Sequence, residues 1–355
     1  MSKLSTDITP KIVSKEEFQK DKFYFSYSSL VKLMRDPPLF HNDYILRQKE
    51  DLSAKHLSIG ELLHCLVLEP ENFDEKFVVM SKRVPGGKLK DAIDNVYNTY
   101  TKPLLESNPG IPYTLEDFSK ELLMEFIEID LYQKFVDAKK AVNGVMLSAD
   151  DKRLEKTKTI ECTEYFSTLI EGEKKTVVDL SMVEQAKGKA TAIFNSKVSM
   201  DLLTGTSIKN DVRKEIELKA DIPNYPFGLK GIIDCVKVDY AAETIYITDL
   251  KTTSLSLEAW KEKFEISEYM YWLQAIVYKE LVLSLVPKDN DGTWKLKVHY
   301  LVVDKNNKVY PFPVSATSLA SWEFKTKEVL DKANWHFTNH VYDLPYEYEQ
   351  GLVEL

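Results

Sequence analysis

The chain has 355 residues, 44% of them hydrophobic and 29% charged, with a formal net charge of −9 at pH 7. That length buries a sizeable core in one elaborated domain or two, and the balance is that of an ordinary soluble globular protein. The negative charge excludes a broadly basic nucleic-acid coat, although a groove with local Lys and Arg suffices for a phosphate backbone.

No run of about 18 apolar residues and no charged-then-apolar leader is present, so the expectation is no membrane partner, no signal peptide and a cytoplasmic location. The three cysteines, Cys65, Cys162 and Cys235, are odd in number and form no CxxC pair. This excludes a disulfide framework, a zinc knuckle or an iron–sulfur cluster.

Residues 1–22 are polar and are expected to be flexible. Ser28 to Arg35 then reads as a short helix stopped by Asp36-Pro-Pro38, and Leu39 to Leu46 as a further helical turn or two. Ser58-Ile-Gly-Glu61 is a capping box, opening a helix to Glu69 before Pro70. His64 lies in its second turn, above Gly60 at the four-residue spacing; its ordinary role there is that of a core histidine.

Ser81 to Lys90 reads as a basic loop around Pro85-Gly-Gly87. Lys82, Arg83, Lys88 and Lys90 are candidates for a phosphate backbone, against the commoner outcome of a solvated surface run. Residues 90–203 are mostly helical in pattern, notably Leu115 to Val142 and Leu180 to Leu203, with no fixed repeat period.

Glu215 to Asp221 alternates as a strand. Gly231 to Val238 and Thr244 to Thr253 alternate too, and polar Asp239 to Glu243 between them completes an antiparallel hairpin. The two-residue period puts Ile245, Ile247, Asp249 and Lys251 on one face. With Val238 opposite Ile245, Val236 meets Ile247 and Asp234 meets Asp249. Carboxylates facing each other across strands repel, so this pairing points to a cation between them.

Leu257 to Val286 predicts one or two helices broken near Ile266-Ser267. Tyr271, Gln274 and Tyr278 share a face of the second, with Leu273, Val277 and Leu281 on another, as on a helix with one side to solvent. Strands Trp294 to Val303 and Val309 to Val314 follow, joined by Asp304-Lys-Asn-Asn307. A helix from Ser318 to Asn334 and an acidic, mobile tail from Tyr342 complete the reading.

A helix bearing His64, a hairpin bearing Asp234, Asp249 and Lys251, and a helix bearing Gln274 and Tyr278 thus follow in order. Gly60-Glu-Leu-Leu-His64, Gly231-Ile-Ile-Asp234, Asp249-Leu-Lys251 and Gln274-Ala-Ile-Val-Tyr278 together resemble the PD-(D/E)XK nuclease superfamily. Within it the chain is most similar to the RecB-like branch and its RecE-type exonucleases (exodeoxyribonuclease VIII) and phage relatives. Each motif is weak alone, and their order gives the resemblance its weight.

The resemblance implies an α/β fold with a restriction-endonuclease-like core, a central mixed β-sheet flanked by helices. A single nuclease domain over 23–336 would carry a helical insertion at about 90–203, between a flexible segment (1–22) and a tail (337–355). It also implies Mg²⁺ as cofactor, Mn²⁺ able to substitute, with His64, Asp234, Asp249 and the Leu250 carbonyl as metal ligands. Lys251 would orient or help deprotonate the attacking water and offset developing charge, with Gln274 and Tyr278 steadying it.

The implied activity is exonucleolytic resection of linear duplex DNA ends, 5′-to-3′, leaving 3′ single strands for an annealing protein. The implied assembly is a homo-oligomer. A non-catalytic DNA-binding protein on the same fold and a RecB-like endonuclease or flap nuclease are the competing readings.

Overall fold

The computed structural model describes residues 22–48, 59–80, 84–132, 141–142, 145–146, 148–205, 210–264, 269–285 and 294–354. They form two compact units, one from the described parts of 1–54, 63–69 and 187–355 and the other from those of 55–62 and 70–186. The expected flexible N-terminal segment lies almost wholly outside the described residues.

The first unit is built on a six-stranded mixed sheet. Its strands are β1 (Tyr24–Phe25), β2 (Asn210–Asp221), β3 (Gly228–Asp239), β4 (Thr244–Thr252), β5 (Lys295–Val303) and β6 (Val309–Pro313). Strand β3 pairs antiparallel with β2 along its whole length. On its other side it pairs with β1 in parallel near Gly228 and with β4 antiparallel from Cys235 onwards. Strand β5 joins β4 in parallel and β6 closes the sheet antiparallel. The hairpin register is the one the alternation predicts, with Val238 opposite Ile245 and Val236 opposite Ile247.

Five helices of this unit matter for the site: α1 (Tyr27–Arg35), α2 (Ile59–Leu68, within this unit from Leu63), α3 (Leu257–Phe264), α4 (Tyr271–Leu283) and α5 (Ala316–Asn339). One sheet face, with Val236, Ile245, Ile247, Val298, Tyr300 and Val302, packs against apolar side chains of α1, α4 and α5. The other, with Cys235, Leu250, Leu301 and Val303, packs with Leu63 and Val67 of α2 and with Ala190, Ile193 and Leu203. Both faces are covered, which keeps water from the middle of the sheet and leaves chemistry to strand ends.

Helix α4 departs from the expected amphipathic pattern, because residues Leu273 to Tyr278, Leu281 and Val282 are all buried. Its polar-aromatic face therefore meets protein, and a buried Gln or Tyr must find hydrogen-bond partners there. Helix α5 is longer than expected at 24 residues, capped by the Ser315 hydroxyl accepting from the Ser318 amide at 3.0 Å. The tail makes contacts with the rest of this unit: Tyr342 stacks on His336 and His41, Lys332 pairs with Glu347, and Tyr346–Glu349 forms a helical turn.

In the second unit, Phe77–Met80 pairs in parallel with Thr176–Asp179. Helices Gly87–Val96, Ser119–Glu128 and Ile160–Gly172 enclose a separate core including Ile93, Phe118, Phe126 and Phe166. Within the stretch of helical pattern from Leu115 to Val142, a 3-10 turn over Leu115–Phe118 leads into a helix that stops at Glu128. Asp130 takes a left-handed φ of 51°, and the Leu131 and Asp130 amides return to the Phe126 and Ile127 carbonyls, a Schellman termination. Of the expected basic loop, Val84 to Gly86 is irregular and a helix begins at Gly87, which takes a positive φ of 53°.

Candidate metal centre

The site lies where the β3–β4 ladder ends. Backbone pairing stops at Cys235↔Thr248, one residue short of Asp234 and Asp249. Continuing the register by one step sets those two carboxylates opposite each other. In place of a ladder bond, the Leu250 amide donates to Asp234 Oδ2 at 2.6 Å. The Leu250 carbonyl accepts from His64 Nε2 at 2.8 Å. The chain thus keeps its backbone groups satisfied while opening a slot lined by oxygen atoms.

His64 is placed by α2, whose Leu63 and Val67 anchor the helix on the sheet. Its Nδ1 faces Asp234 Oδ2 at 3.7 Å and Glu215 Oε1 at 3.8 Å. Ser58, the proposed cap of this helix, lies outside the described residues.

Glu215 was invisible as a site residue in the strand pattern. In the β2–β3 register, Lys214 pairs with Cys235 and Ile216 with Ile233, so Glu215 stands opposite Asp234. It does so in a left-handed conformation, φ 48°, which a non-glycine residue adopts at a cost of about 1–3 kcal/mol. Its Oε1 is buried without a hydrogen-bond partner. One donor atom each from His64, Glu215 and Asp234 lie within 4.8 Å of one another. The signal that finds Glu215 is register: pairing Glu215 to Asp221 with the strand beyond Pro226 points it at Asp234.

The remaining predicted residues converge from the α4 side. Lys251 Nζ stands 2.6 Å from Asp249 Oδ2. Gln274 Nε2 donates both to Asp249 Oδ1 and to the Tyr278 hydroxyl, each at 3.0 Å. Gly231 makes room for this arrangement, since a Cβ there would stand 3.2 Å from Tyr278 Cε1 and from Leu281 Cδ1. A side chain at 231 would thus press on the tyrosine that backs Gln274.

The electrostatics follow from burying five ionisable groups together. Asp234 and Asp249 are 6% and 2% exposed. Burial raises both carboxyls, Asp249 to about 6, against the opposing pull of Lys251 and His64. Burial by itself lowers His64, but Asp234 and Glu215 outweigh it and lift the imidazole to about 9. Lys251 is likewise depressed by burial and raised overall by Asp249 and Asp234. Without a metal, imidazolium and ammonium serve as the counter-charges of the acidic row.

Lys82 and Arg83 lie outside the described residues. Lys88 donates to the Ile129 carbonyl at 3.2 Å, and Lys90 pairs with Asp94 and lies over the Tyr165 ring, all within the second unit.

No family model matches the chain, and no curated protein matches it either. Among solved structures it is similar to one named “Putative exonuclease” from Eubacterium rectale. The identity is 12%, 89% of this chain and 85% of that chain are covered, and the TM-score is 0.38. A superposition that loose leaves the functional argument to the geometry of the site. No helix among the described residues is long and apolar enough to cross a membrane.

Proposed function

We propose that this chain is a divalent-metal-dependent deoxyribonuclease that hydrolyses phosphodiesters at the ends of linear duplex DNA. The observation that carries the reading is the convergence of Asp234, the Leu250 carbonyl and His64 beside Asp249 and Lys251, at one strand end.

The donor set fits a hard cation. Carboxylate and carbonyl oxygens dominate it, one imidazole joins them, and Glu215 adds an orphaned buried oxygen. His64 and the Leu250 carbonyl, hydrogen-bonded to each other at 2.8 Å, would hold the ion together with the carboxylates. Mg²⁺ is the working ion, and the imidazole makes Mn²⁺ an able substitute.

A bound divalent ion supplies charge neutralisation at the phosphate and a water of lowered pKa. The protein does the rest. Asp249 ties down Lys251, and Gln274 ties down Asp249. Lys251, held by Asp249, would face the negative charge that grows on the phosphoryl oxygens and orient or help deprotonate the attacking water. Water adds to phosphorus as the bond to the leaving oxygen breaks. The water's proton passes to solvent, and the leaving oxygen is protonated.

The RecE-type resemblance extends the reading to 5′-to-3′ digestion, 3′ single strands passed to an annealing protein, and a homo-oligomeric assembly. The test is digestion of end-labelled linear duplex with Mg²⁺, with Mn²⁺ and with EDTA, and of closed circular DNA. Linear DNA is degraded only with metal, circles resist, and Asp249→Asn and Lys251→Ala each lose about 100-fold or more. Wild-type rates in both variants, or digestion in EDTA, overturn the assignment. Tight DNA binding without cleavage under any divalent ion favours a binding protein.

A further inference from the structure

Next to Lys251 is an aromatic pile that the hydrolytic machinery does not use. Tyr271 lies under Lys251, with the ammonium 5.1 Å from its ring centroid. Tyr269 stacks on Tyr271 with centroids 5.4 Å apart and planes 13° from parallel. Below Tyr271 is Trp260, itself packed against Phe312 and Tyr300. The bottom of the pile is buried core, and its top, Tyr269, is 55% exposed.

The backbone holds this pair in place by unusual means. Met270 between the two tyrosines is left-handed at φ 49°, a conformation that costs a non-glycine residue free energy and persists only where its surroundings enforce it. Two further tyrosines do so from other elements. The Tyr27 hydroxyl donates to the Tyr269 carbonyl, and the Tyr300 hydroxyl donates to the Tyr271 carbonyl at 2.7 Å. A large aromatic ring is thereby presented to solvent on a braced turn, where hydrophobic burial alone would have turned it inward.

Resting on the hydrolase reading above, we propose that Tyr269 is a stacking platform for an unpaired base of the nucleotide flanking the scissile phosphate. A sugar alone separates the phosphate of a nucleotide from its base, and a phosphate drawn to Lys251 brings its base to the neighbouring tyrosines. Nucleobases stack on aromatic rings regardless of sequence, which suits an enzyme that digests any DNA. A base can lie flat on Tyr269 only when it has left its own helical stack, so the platform selects a frayed or single-stranded end at the cut.

Two measurements with single-stranded and frayed-end oligonucleotides test this. The first places 2-aminopurine beside the scissile position and reads its fluorescence on binding in Ca²⁺, an oxygen-seeking ion too large for Mg²⁺ geometry. Wild type and Tyr269→Phe quench the probe, and Tyr269→Ala does not. The second is cleavage in Mg²⁺: Tyr269→Ala raises KM about 5- to 50-fold with little change in kcat, and Tyr269→Phe restores it. An abasic residue at that position slows wild type by a similar factor and leaves Tyr269→Ala unaffected. An unquenched probe with wild type, or the same abasic penalty in both proteins, overturns the platform. Quenching without cleavage upholds it and refutes the hydrolase reading instead.

Discussion

Gln274 is the most informative side chain to change, because among the described hydrogen bonds it meets neither Lys251 nor His64 yet supplies the only neutral donor to Asp249 Oδ1. Gln274→Met keeps the length and burial of the side chain and removes that donor. It also removes Gln274 Oε1, which is buried without a partner, and this offsets part of the cost of leaving Asp249 Oδ1 and the Tyr278 hydroxyl without their donor, so the metal-free fold should lose about 1–3 kcal/mol. A hydrogen bond to a charged group contributes about 1.5–3 kcal/mol, or about 1–2 pKa units. Asp249, already raised to about 6 by burial, then titrates at about 7–8. Protons compete with the metal for that carboxylate. Apparent Mg²⁺ or Mn²⁺ affinity should therefore fall about 3- to 25-fold at pH 6.5 and by almost nothing at pH 9. Calorimetric metal titrations at the two pH values, with melting in EDTA as the folding control, decide it. A defect of equal size at both pH values would mean that Gln274 positions the site sterically and would refute the electrostatic account.

Gly228→Ala places a Cβ 2.3 Å from the Tyr24 ring and 2.5 Å from the Ala220 carbonyl, where the strand pairs on both edges, and should cost about 3 kcal/mol by urea denaturation. His299 is lowered from 6.5 to about 4, by burial first and then by Lys297 and Lys237, so between those values the unfolded chain binds a proton that the folded chain refuses. Stability should therefore fall as pH drops from 6.5 towards 4, by about 1–2 kcal/mol for a ring that keeps some solvent contact, and His299→Gln should flatten that limb in urea midpoints. Glu215→Asn retains a residue type that tolerates φ 48°, so melting in EDTA should be unchanged or up to about 1 kcal/mol more favourable, while Mg²⁺ affinity falls about 10-fold or more. An unaltered affinity would remove Glu215 from the ligand set.

The central hairpin was legible because period-two alternation with one turn leaves a single register that buries Val236, Val238, Ile245 and Ile247 together. Once that register is known, the opposition of Asp234 and Asp249 is arithmetic. The order of the other strands was not legible. Strand β5 joins β4 in parallel, and Phe77–Met80 meets Thr176–Asp179 across a long stretch of chain, and neither partner is marked by local pattern. Composition misled at the tail, where acidic residues suggested solvation but Tyr342 and Glu347 find His336, His41 and Lys332. It also hid the burial of α4, since Gln274 and Tyr278 resemble surface residues until Gln274 is seen to donate to both Asp249 and the Tyr278 hydroxyl.

Two of the non-glycine residues with positive φ lie near the site, Glu215 beside His64 and Asp234, and Met270 next to the Tyr271 that meets Lys251. At Glu215 the bend sets a third carboxylate beside Asp234, adding repulsion to strain. In the metal-free protein that repulsion is offset by His64, which the carboxylates themselves keep protonated. A dication entering the slot would displace the proton, because imidazole binds metal only when neutral. On the proposed metal reading, the divalent ion would take over from that proton as the counter-charge of the acidic row. The double-faced packing of the sheet, with apolar clusters above and below β4, is what keeps such an arrangement from relaxing by moving the strand ends apart.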